Sequence, residues 1–505
     1  MSVARVYTIQ PQVLGGTVVS IETDISRGLH AFTVVGLASK AVDEAKDRVG
    51  SAIKHSGFTS PKAKNQKVVI SLSPADLKKE GPLFDLPIAI SYLIAAGDMT
   101  DDGVARIMIG ELGLDGTLRP VRGILNCVMA AKAAGYTEVI VPSENAAEAA
   151  LIEDMTIFPA PTLRAVIEHI DTTIPERTNL QPQPTTELPL TWSTSSVTLE
   201  DIKGQETAKR GLIIAAAGRH NVMLVGPPGT GKTMLARALR GLLPPLARTE
   251  ALAVTAIHSL AGADVRVSAE PPFRSPHHTA SHTALVGGGS HPKPGEVTLA
   301  HHGVLFMDEF PEFDRRTLDA LRQPLEDRVV SISRVQGTAE FPADFILVAA
   351  LNPYRGTEDG TTDLARAMQE TYRGKVSGPI LDRIDLWLEV PHVDYDTLTT
   401  LNTTTGETVR AREQITSARA MMAARLNPRG HSTNATMTAR DIEEVIHIKD
   451  DVRELLKVSS AKLNLSPRSY HRLLKVARTI ADLASSEHIA VPHVLEALQY
   501  RVQTN

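Results

Sequence analysis

The feature that most constrains this chain is Gly226-Pro-Pro-Gly-Thr-Gly-Lys-Thr233, which follows the apolar run Asn221-Val-Met-Leu-Val225 and precedes Met234-Leu-Ala-Arg-Ala-Leu239. The spacing is that of a phosphate-cradling turn with both flanks in place: a buried strand, a glycine-rich loop, then a helix whose first amides face the loop. Glycines 226, 229 and 231 let backbone N–H groups converge on the β- and γ-phosphates without a Cβ in the way. Lys232 reaches the same phosphates and Thr233 offers its hydroxyl to Mg²⁺, while Pro227, Pro228 and Thr230 complete the loop. The expected occupants are a nucleoside triphosphate and Mg²⁺.

Three downstream segments carry matching chemistry. Gly303-Val-Leu-Phe-Met-Asp-Glu-Phe310 reads as a buried strand ending in two carboxylates, some 75 residues after the loop. Asp308 is then delivered to the metal, and Glu309 to a water facing the γ-phosphate, where it can act as general base. The run Phe345-Ile-Leu-Val-Ala-Ala-Leu-Asn-Pro353 ends at Asn352, whose amide can orient that water or sense the γ-phosphate. Ser377-Gly-Pro-Ile-Leu-Asp-Arg-Ile-Asp385 and Leu465-Ser-Pro-Arg-Ser-Tyr-His-Arg472 each place an arginine near a helix start. Together these motifs resemble an AAA+ ATPase. The resemblance implies that the triphosphate is ATP, that Arg383 is a finger reaching the nucleotide of a neighbouring subunit and that Arg468 is the second sensor, carried by a helical lid. A fixed guanidinium fork suits developing phosphoryl charge better than an ammonium does.

The chain has 505 residues, 42% hydrophobic and 22% charged, which is room for roughly three domains of ordinary soluble composition. The longest apolar run, near 86–96, falls short of the ~20 residues of a membrane span, and Met1-Ser-Val-Ala-Arg-Val lacks the apolar core of a signal peptide. A cytoplasmic protein without membrane contact is expected. One cysteine, Cys127, excludes an intramolecular disulfide and a multi-cysteine zinc site, and its apolar neighbours place it on a packed helix face. Fifteen Lys+Arg against eleven Asp+Glu from Leu401 onward leave the C-terminal stretch at +4, in a chain whose net charge is −5. Nucleic-acid contact would therefore come from a local basic surface or from loops.

Residues 1–172 alternate strand-like and helix-like patterns. Strands are expected over 17–23, 31–35 and 67–72, helices over 39–55, 84–96 and 124–134, and a hairpin turning at Asp115-Gly116. Lys79-Glu-Gly-Pro-Leu-Phe-Asp-Leu, Gly110-Glu-Leu-Gly-Leu-Asp-Gly and Pro120-Val-Arg-Gly-Ile-Leu resemble the core of the Lon peptidase domain. Leu83 and Leu125 stand where that family carries its nucleophilic Ser and activating Lys, so no Ser–Lys mechanism is expected. Residues 173–200 are rich in Pro, Thr and Gln and read as a linker. An ATPase core is then expected over 201–397 and a helical lid over 398–505, with helices over 408–426, 439–456, 466–487 and 492–503. The fold class is α/β multidomain, with a parallel sheet under the phosphate loop and a helical C-terminal domain.

Between the motifs lies Phe273-Arg-Ser-Pro-His-His-Thr-Ala-Ser-His, followed by Ala284-Leu-Val-Gly-Gly-Gly, Pro294-Gly-Glu-Val and Leu299-Ala-His-His-Gly. This segment resembles the Mg-chelatase-related branch of AAA+ proteins, and with the Lon-like N-terminal region the chain resembles the YifB/ComM family along nearly its whole length. The resemblance implies an insertion around 264–300 and a hairpin around 329–338, both facing a ring pore. It further implies a homo-oligomeric ring of six subunits acting on single-stranded or branched DNA, as a branch-migration helicase in recombination during natural transformation. A Mg-chelatase-like motor subunit and an ATP-dependent protein remodeller or regulator are the alternatives. Histidines 277, 278, 282, 291, 301 and 302 read as hydrogen-bonded structural or loop residues rather than metal ligands. Relatives carry cysteines after the Asn-Pro of the first sensor; Tyr354-Arg-Gly-Thr-Glu-Asp-Gly stands there here, so no zinc site is carried over.

Overall fold

The computed structural model describes residues 4–193, 197–262, 268–288, 293–334, 337–352, 376–394, 406–463 and 465–501. They fall into two compact units, Met1–Pro189 with Ala251–Ser268, and Leu190–Glu250 with Ala269–Asn505.

The first unit is built on a seven-stranded sheet of order β3-β4-β2-β1-β5-β8-β9. Its strands are β1 (Ala4–Pro11), β2 (Gly16–Arg27), β3 (Ala31–Val35), β4 (Gln66–Ser73), β5 (Ile107–Met108), β8 (Glu138–Pro142) and β9 (Thr156–Ala160). Pairs β1/β2 and β2/β4 are antiparallel and the other four are parallel. Alternation in β2 puts Val19 and Ile21 inside, as the period-2 pattern requires. Helices α1 (Lys40–His55), α2 (Asp85–Ala95) and α3 (Ile124–Ala133) pack into the same core. The hairpin of β6 (Glu111–Leu112) and β7 (Leu118–Arg119) turns through Asp115-Gly116, as expected. Strands β1, β8 and β9 carry no signal that the sequence patterning singled out.

Leu83 and Leu125 both lie in this apolar core. Neither position offers a nucleophile or a proton acceptor. Cys127 is buried and free, and burial pushes its thiol pKa up. The proline-rich stretch contains no helix or strand from 171 to 193 but is not free chain: the Gln183 amide donates to Ile157 O at 2.8 Å and the Thr186 amide to Ala150 O at 3.0 Å.

The second unit holds a five-stranded sheet of order β11-β14-β17-β10-β18. The strands are β10 (Val222–Val225), β11 (Phe273–Arg274), β14 (Val304–Met307), β17 (Ile346–Leu351) and β18 (Leu386–Glu389). Every pair is parallel. β10, β14 and β17 are buried at every residue, as a parallel sheet covered on both faces demands. Helices α4 (Glu206–Gly218) and α5 (Lys232–Leu242) flank β10 in sequence, and α6 (Arg248–Ala261) crosses into the first unit from Ala251 onward.

The expected insertion appears as a short helix His282–Val286, the ribbon β12 (Gly287–Gly288) with β13 (Lys293–Pro294), and a turn of helix Glu296–Leu299. Arg274 grips Glu296 bidentately at 2.6 and 2.7 Å and closes the insertion at its base. The expected hairpin is β15 (Val329–Arg334) with β16 (Gly337–Pro342). His291 and the stretch from Tyr354 to Gly360 lie outside the described residues.

The C-terminal helices share one continuous apolar core with this sheet, from Val222 and Phe306 through Ile415 and Met422 to Ile480. The helix expected over 439–456 is two: it stops at Val445 and restarts at Asp450. The break has a tertiary cause, because Ile448 forms a β-bridge with Ile489 that helical backbone could not make. The others are α9 (Glu407–Leu426), α10 (Pro467–Leu483) and Val491–Gln499, within a few residues of expectation. Among the described residues no helix is long and apolar enough to cross a membrane.

The rings of His301 and His302 lie with centroids 3.9 Å apart, tilted by 42°, just ahead of β14. Burial, reinforced for His301 by His302 and for His302 by Arg219, lowers their pKa to about 3 and about 4. His301 Nδ1 accepts the Asp344 amide at 3.0 Å, so it is an acceptor and the ring is neutral. In the unfolded chain both rings titrate near about 6.5. The unfolded state therefore binds more protons at acid pH, and stability held in full above pH ~6.5 is lost progressively as pH falls through the folded values. Thermal melts should show Tm falling from pH 7 to pH 4, and His301→Gln, which keeps an acceptor that does not titrate, should flatten that slope.

Candidate functional site

The glycine-rich loop leaves the carboxyl end of β10 at the point where strand order reverses, since β10 is flanked by β17 and β18 while the chain next runs to β11 at the far edge. Ligands of open parallel sheets settle outside the strand ends at such a point. Gly226 donates its amide to Leu351 O at 3.2 Å, and a Cβ at 226 would stand 2.1 Å from Val390 O. Only glycine fits there. Gly229 and Gly231 have φ of +79° and +92°, and a Cβ on either would meet nothing within 4 Å, so the cradle is open above the loop. Lys232 opens α5, whose Leu235, Leu239 and Leu242 are buried and fix its axis. The Lys232 ammonium donates to Gly226 O at 2.8 Å and Pro227 O at 2.7 Å. Burial lowers its pKa, and the charge of Asp308 opposes that shift.

Strand register brings the other residues to the same edge. Val225 pairs with Leu351 and Ala349 with Met307, so Gly226, Asn352 and Asp308-Glu309 follow three adjacent strands that end together. Adjacent strands lie about 4.8 Å apart, which puts the lysine, the carboxylates and the amide around one small volume. Glu309 adopts a left-handed turn with φ 49° and ψ 46°, breaking the strand so that the two carboxylates diverge. Among the described residues, Asn352 Oδ1 is buried without a hydrogen-bond partner. A buried acceptor left open beside a phosphate loop suits a bound water.

The sequence reading missed two features. His278 Nδ1 lies 3.2 Å from Glu309 Oε2, and the tilted rings of His277 and His278 lie 4.1 Å apart, so one histidine of the insertion segment orients the candidate base. Spacing could not show this, because 31 positions separate the two residues. Second, an open cavity of about 370 Å³ lies beside the loop, walled by Gln205, Thr207, Pro391 and His392. Gln205, at φ 61°, donates to Pro391 O at 2.6 Å. The signal was Gly204-Gln205 directly ahead of a helix.

Arg383 and Arg468 are not at this edge. β18 starts at Leu386, paired with Val222 at the beginning of β10, so Arg383 sits at the amino edge of the sheet, opposite the loop. Asn221 holds it there: its side chain donates to Arg383 O at 3.0 Å and accepts from the Leu347 amide at 2.9 Å. Arg472 approaches Asp385 at 3.6 Å and brings the start of α10, with Arg468, to the same place. The two arginines line one cavity of about 410 Å³ with Arg219, Arg328 and Lys475, and no residue of the phosphate loop lines it. Burial lowers Lys475 to about 8.

The parallel sheet, glycine loop and strand-end carboxylates define a P-loop nucleotide-binding core. Family profiles described as "Magnesium chelatase, subunit ChlI", "Subunit ChlI of Mg-chelatase" and "Magnesium chelatase, subunit ChlI C-terminal" match residues 198–398, 21–145 and 405–501. The chain is 41% identical over 510 residues to Competence protein ComM of Haemophilus influenzae, covering 99% of this chain and 98% of that one. It is 42% identical over 515 residues to the uncharacterized protein YifB of Salmonella typhimurium, covering 99% and 97%. Lon protease 2 of Bacillus subtilis is 32% identical over 187 residues, 32% of this chain and 34% of that one. The chain belongs to the YifB/ComM family of Mg-chelatase-like AAA+ ATPases.

Gly226→Ala should lower nucleotide affinity at least about tenfold, because the added methyl drives the loop off Val390, the residue that follows β18. The exposed neighbour Met234→Ala should leave affinity unchanged. Titration with a fluorescent ATP analogue checks both, and equal affinities in the two variants would refute this account of the loop.

Proposed function

We propose that this chain is an ATP-hydrolysing ring motor that acts on branched or single-stranded DNA. The observation that carries the reading is the separation of the two halves of a hydrolysis site onto opposite edges of one sheet. Lys232, Asp308, Glu309 and Asn352 lie at the carboxyl edge, Arg383 and Arg468 at the amino edge. Four residues of β10 at about 3.3 Å each separate the edges by roughly 13 Å. Each edge is completed by a neighbouring copy, and head-to-tail contacts of this kind close into a ring, of six subunits in our reading.

In that site the loop amides and Lys232 bind the β- and γ-phosphates, and the base lies in the cavity beside Gln205. Thr233 and Asp308 would hold Mg²⁺, which neutralises phosphate charge when bound. Glu309, oriented by His278, takes the proton of the attacking water, and Asn352 holds that water in line. Arg383, with Arg468 beside it, enters from the next subunit to stabilise charge on the transferred phosphoryl group.

The DNA reading is supported by the β12/β13 ribbon, which carries the exposed Lys293. A basic residue there can follow a phosphate backbone without a basic surface overall. The Haemophilus relative bears the name of a competence protein, which supports recombination of incoming strands as the setting. The first unit serves as a Lon-like docking domain without peptidase chemistry. We read the domains as 1–172, a linker over 173–200, a core over 201–397 and a lid over 398–505. The match to ChlI profiles favours a metal-chelatase motor as the second reading.

The purified chain should dissociate a synthetic four-way junction only with ATP, and Lys232→Ala should abolish it. Arg383→Ala should reduce ATP turnover by about a thousandfold and be rescued in part by mixing with Lys232→Ala, whose arginine is intact. ATPase that ignores DNA but responds to a tetrapyrrole-binding partner would sink the DNA reading in favour of the second.

A further inference from the structure

Arg383 and Arg468 share one carboxylate. Glu326 hydrogen-bonds Arg383 Nη2 through Oε2, and its Oε1 lies 3.9 Å from Arg468 Nη2. Of the other carboxylates lining the cavity, Asp344 lies 3.3 Å from Arg219 and 3.7 Å from Arg328 and Asp385 lies 3.6 Å from Arg472, while Asp382 is the chain neighbour of Arg383. The three partners differ in exposure. The Arg383 side chain is 8% exposed, that of Glu326 54% and that of Arg468 67%. Glu326 can rehydrate if released, whereas a buried guanidinium cannot be left without an anion. Arg383 can therefore exchange one anion for another but not give one up.

Glu326 also sits on the lever to the hairpin. It belongs to α7 (Arg322–Asp327), which is separated from the start of β15 at Val329 by Arg328 alone. Gln323 of α7 clasps Ser331 of β15 twice, donating to its hydroxyl at 3.1 Å and accepting its amide at 3.3 Å. On the other side Asp319 accepts the Ser377 hydroxyl at 3.0 Å, next to α8 (Gly378–Leu381), the turn of helix that leads into Arg383. α7 thus joins the arginines to the β15/β16 ribbon.

We propose that Glu326 is a positioning residue that occupies Arg383 and Arg468 until a neighbouring subunit presents a nucleoside triphosphate, and that the exchange frees α7 and the ribbon to move. The proposal rests on the reading that both arginines serve a neighbouring copy. A γ-phosphoryl group carries more charge than a carboxylate and accepts from both forks at once, so it outcompetes Glu326 only when delivered into the cavity. Glu326 raises the threshold for assembly of the active ring and couples its crossing to the hairpin.

The test uses the full chain, with ATPase rate measured against protein concentration, with and without a four-way junction. Glu326→Gln should lower the protein concentration for half-maximal ATPase, and KM for ATP, by about fivefold. Its kcat should stay within about twofold of the parent, and stimulation by the junction should fall by at least half. Glu326→Asp, which keeps the charge, should restore the parent threshold. An unchanged or raised threshold in Glu326→Gln overturns the proposal. So does a Tm lowered by more than about 5 °C in both variants, because Glu326 is then only a structural clamp. A parent rate per subunit independent of protein concentration, or an Arg383→Ala chain as fast as the parent, refutes the neighbour-site reading itself and the proposal with it.

Discussion

The second unit depends on one constraint: all five strands of its sheet run the same way. Parallel pairing gathers the carboxyl ends of β10, β14 and β17 on one edge, so residues scattered from Gly226 to Asn352 face one volume. The same polarity forces whatever precedes β18 to the other edge, and Arg383 precedes it by three residues. An antiparallel β18 would have carried its arginine to the loop. The proposed division of the hydrolysis site between subunits is thus a consequence of strand direction before any contact with a partner is considered.

Burial of charge under the amino edge fixes the arginines. Asp385 is buried beside His220 Nδ1 at 3.4 Å and accepts the Asn221 amide at 3.1 Å, with Arg472 on its other oxygen. Burial alone would raise its pKa, but His220 and Arg472 outweigh it and hold the carboxyl well below its usual range. Asp344, lowered to about 2 against its burial by Arg219 and Arg328, plays the corresponding part near β14. Breaking a buried pair costs several kcal/mol, ~3–5, because one charge is stranded. This makes the floor of the cavity stiff. Glu326, half exposed at its rim, is the carboxylate that can leave cheaply.

Much of this was legible in the sequence where chemistry is local. The loop needs glycine at fixed positions, and Gly226 against Val390 O shows why. The buried strands announced themselves as continuous apolar runs, and α1, α2, α3 and α9 by helical period. Leu83 and Leu125 were expected to offer neither a nucleophile nor a proton acceptor, and both prove to be core residues. Long-range pairing was not legible. The helix predicted over 439–456 breaks because Ile448 bridges Ile489, 41 positions away. α6 starts in the unit that holds the phosphate loop and joins the other from Ala251, where Ser259 accepts the Gly123 amide at 3.0 Å. Periodicity records which face of an element is apolar, not which core receives it.

The sequence by itself determined that a glycine loop, a lysine and two carboxylates would meet, because each lies at the end of its own apolar run and backbone sterics fix such turns locally. Only the tertiary structure decided that Arg383 and Arg468 share Glu326 on the opposite edge, and that His278 reaches Glu309. Those contacts depend on strand order and on which buried charges find partners, and both are settled only when distant segments pack and water is excluded between them.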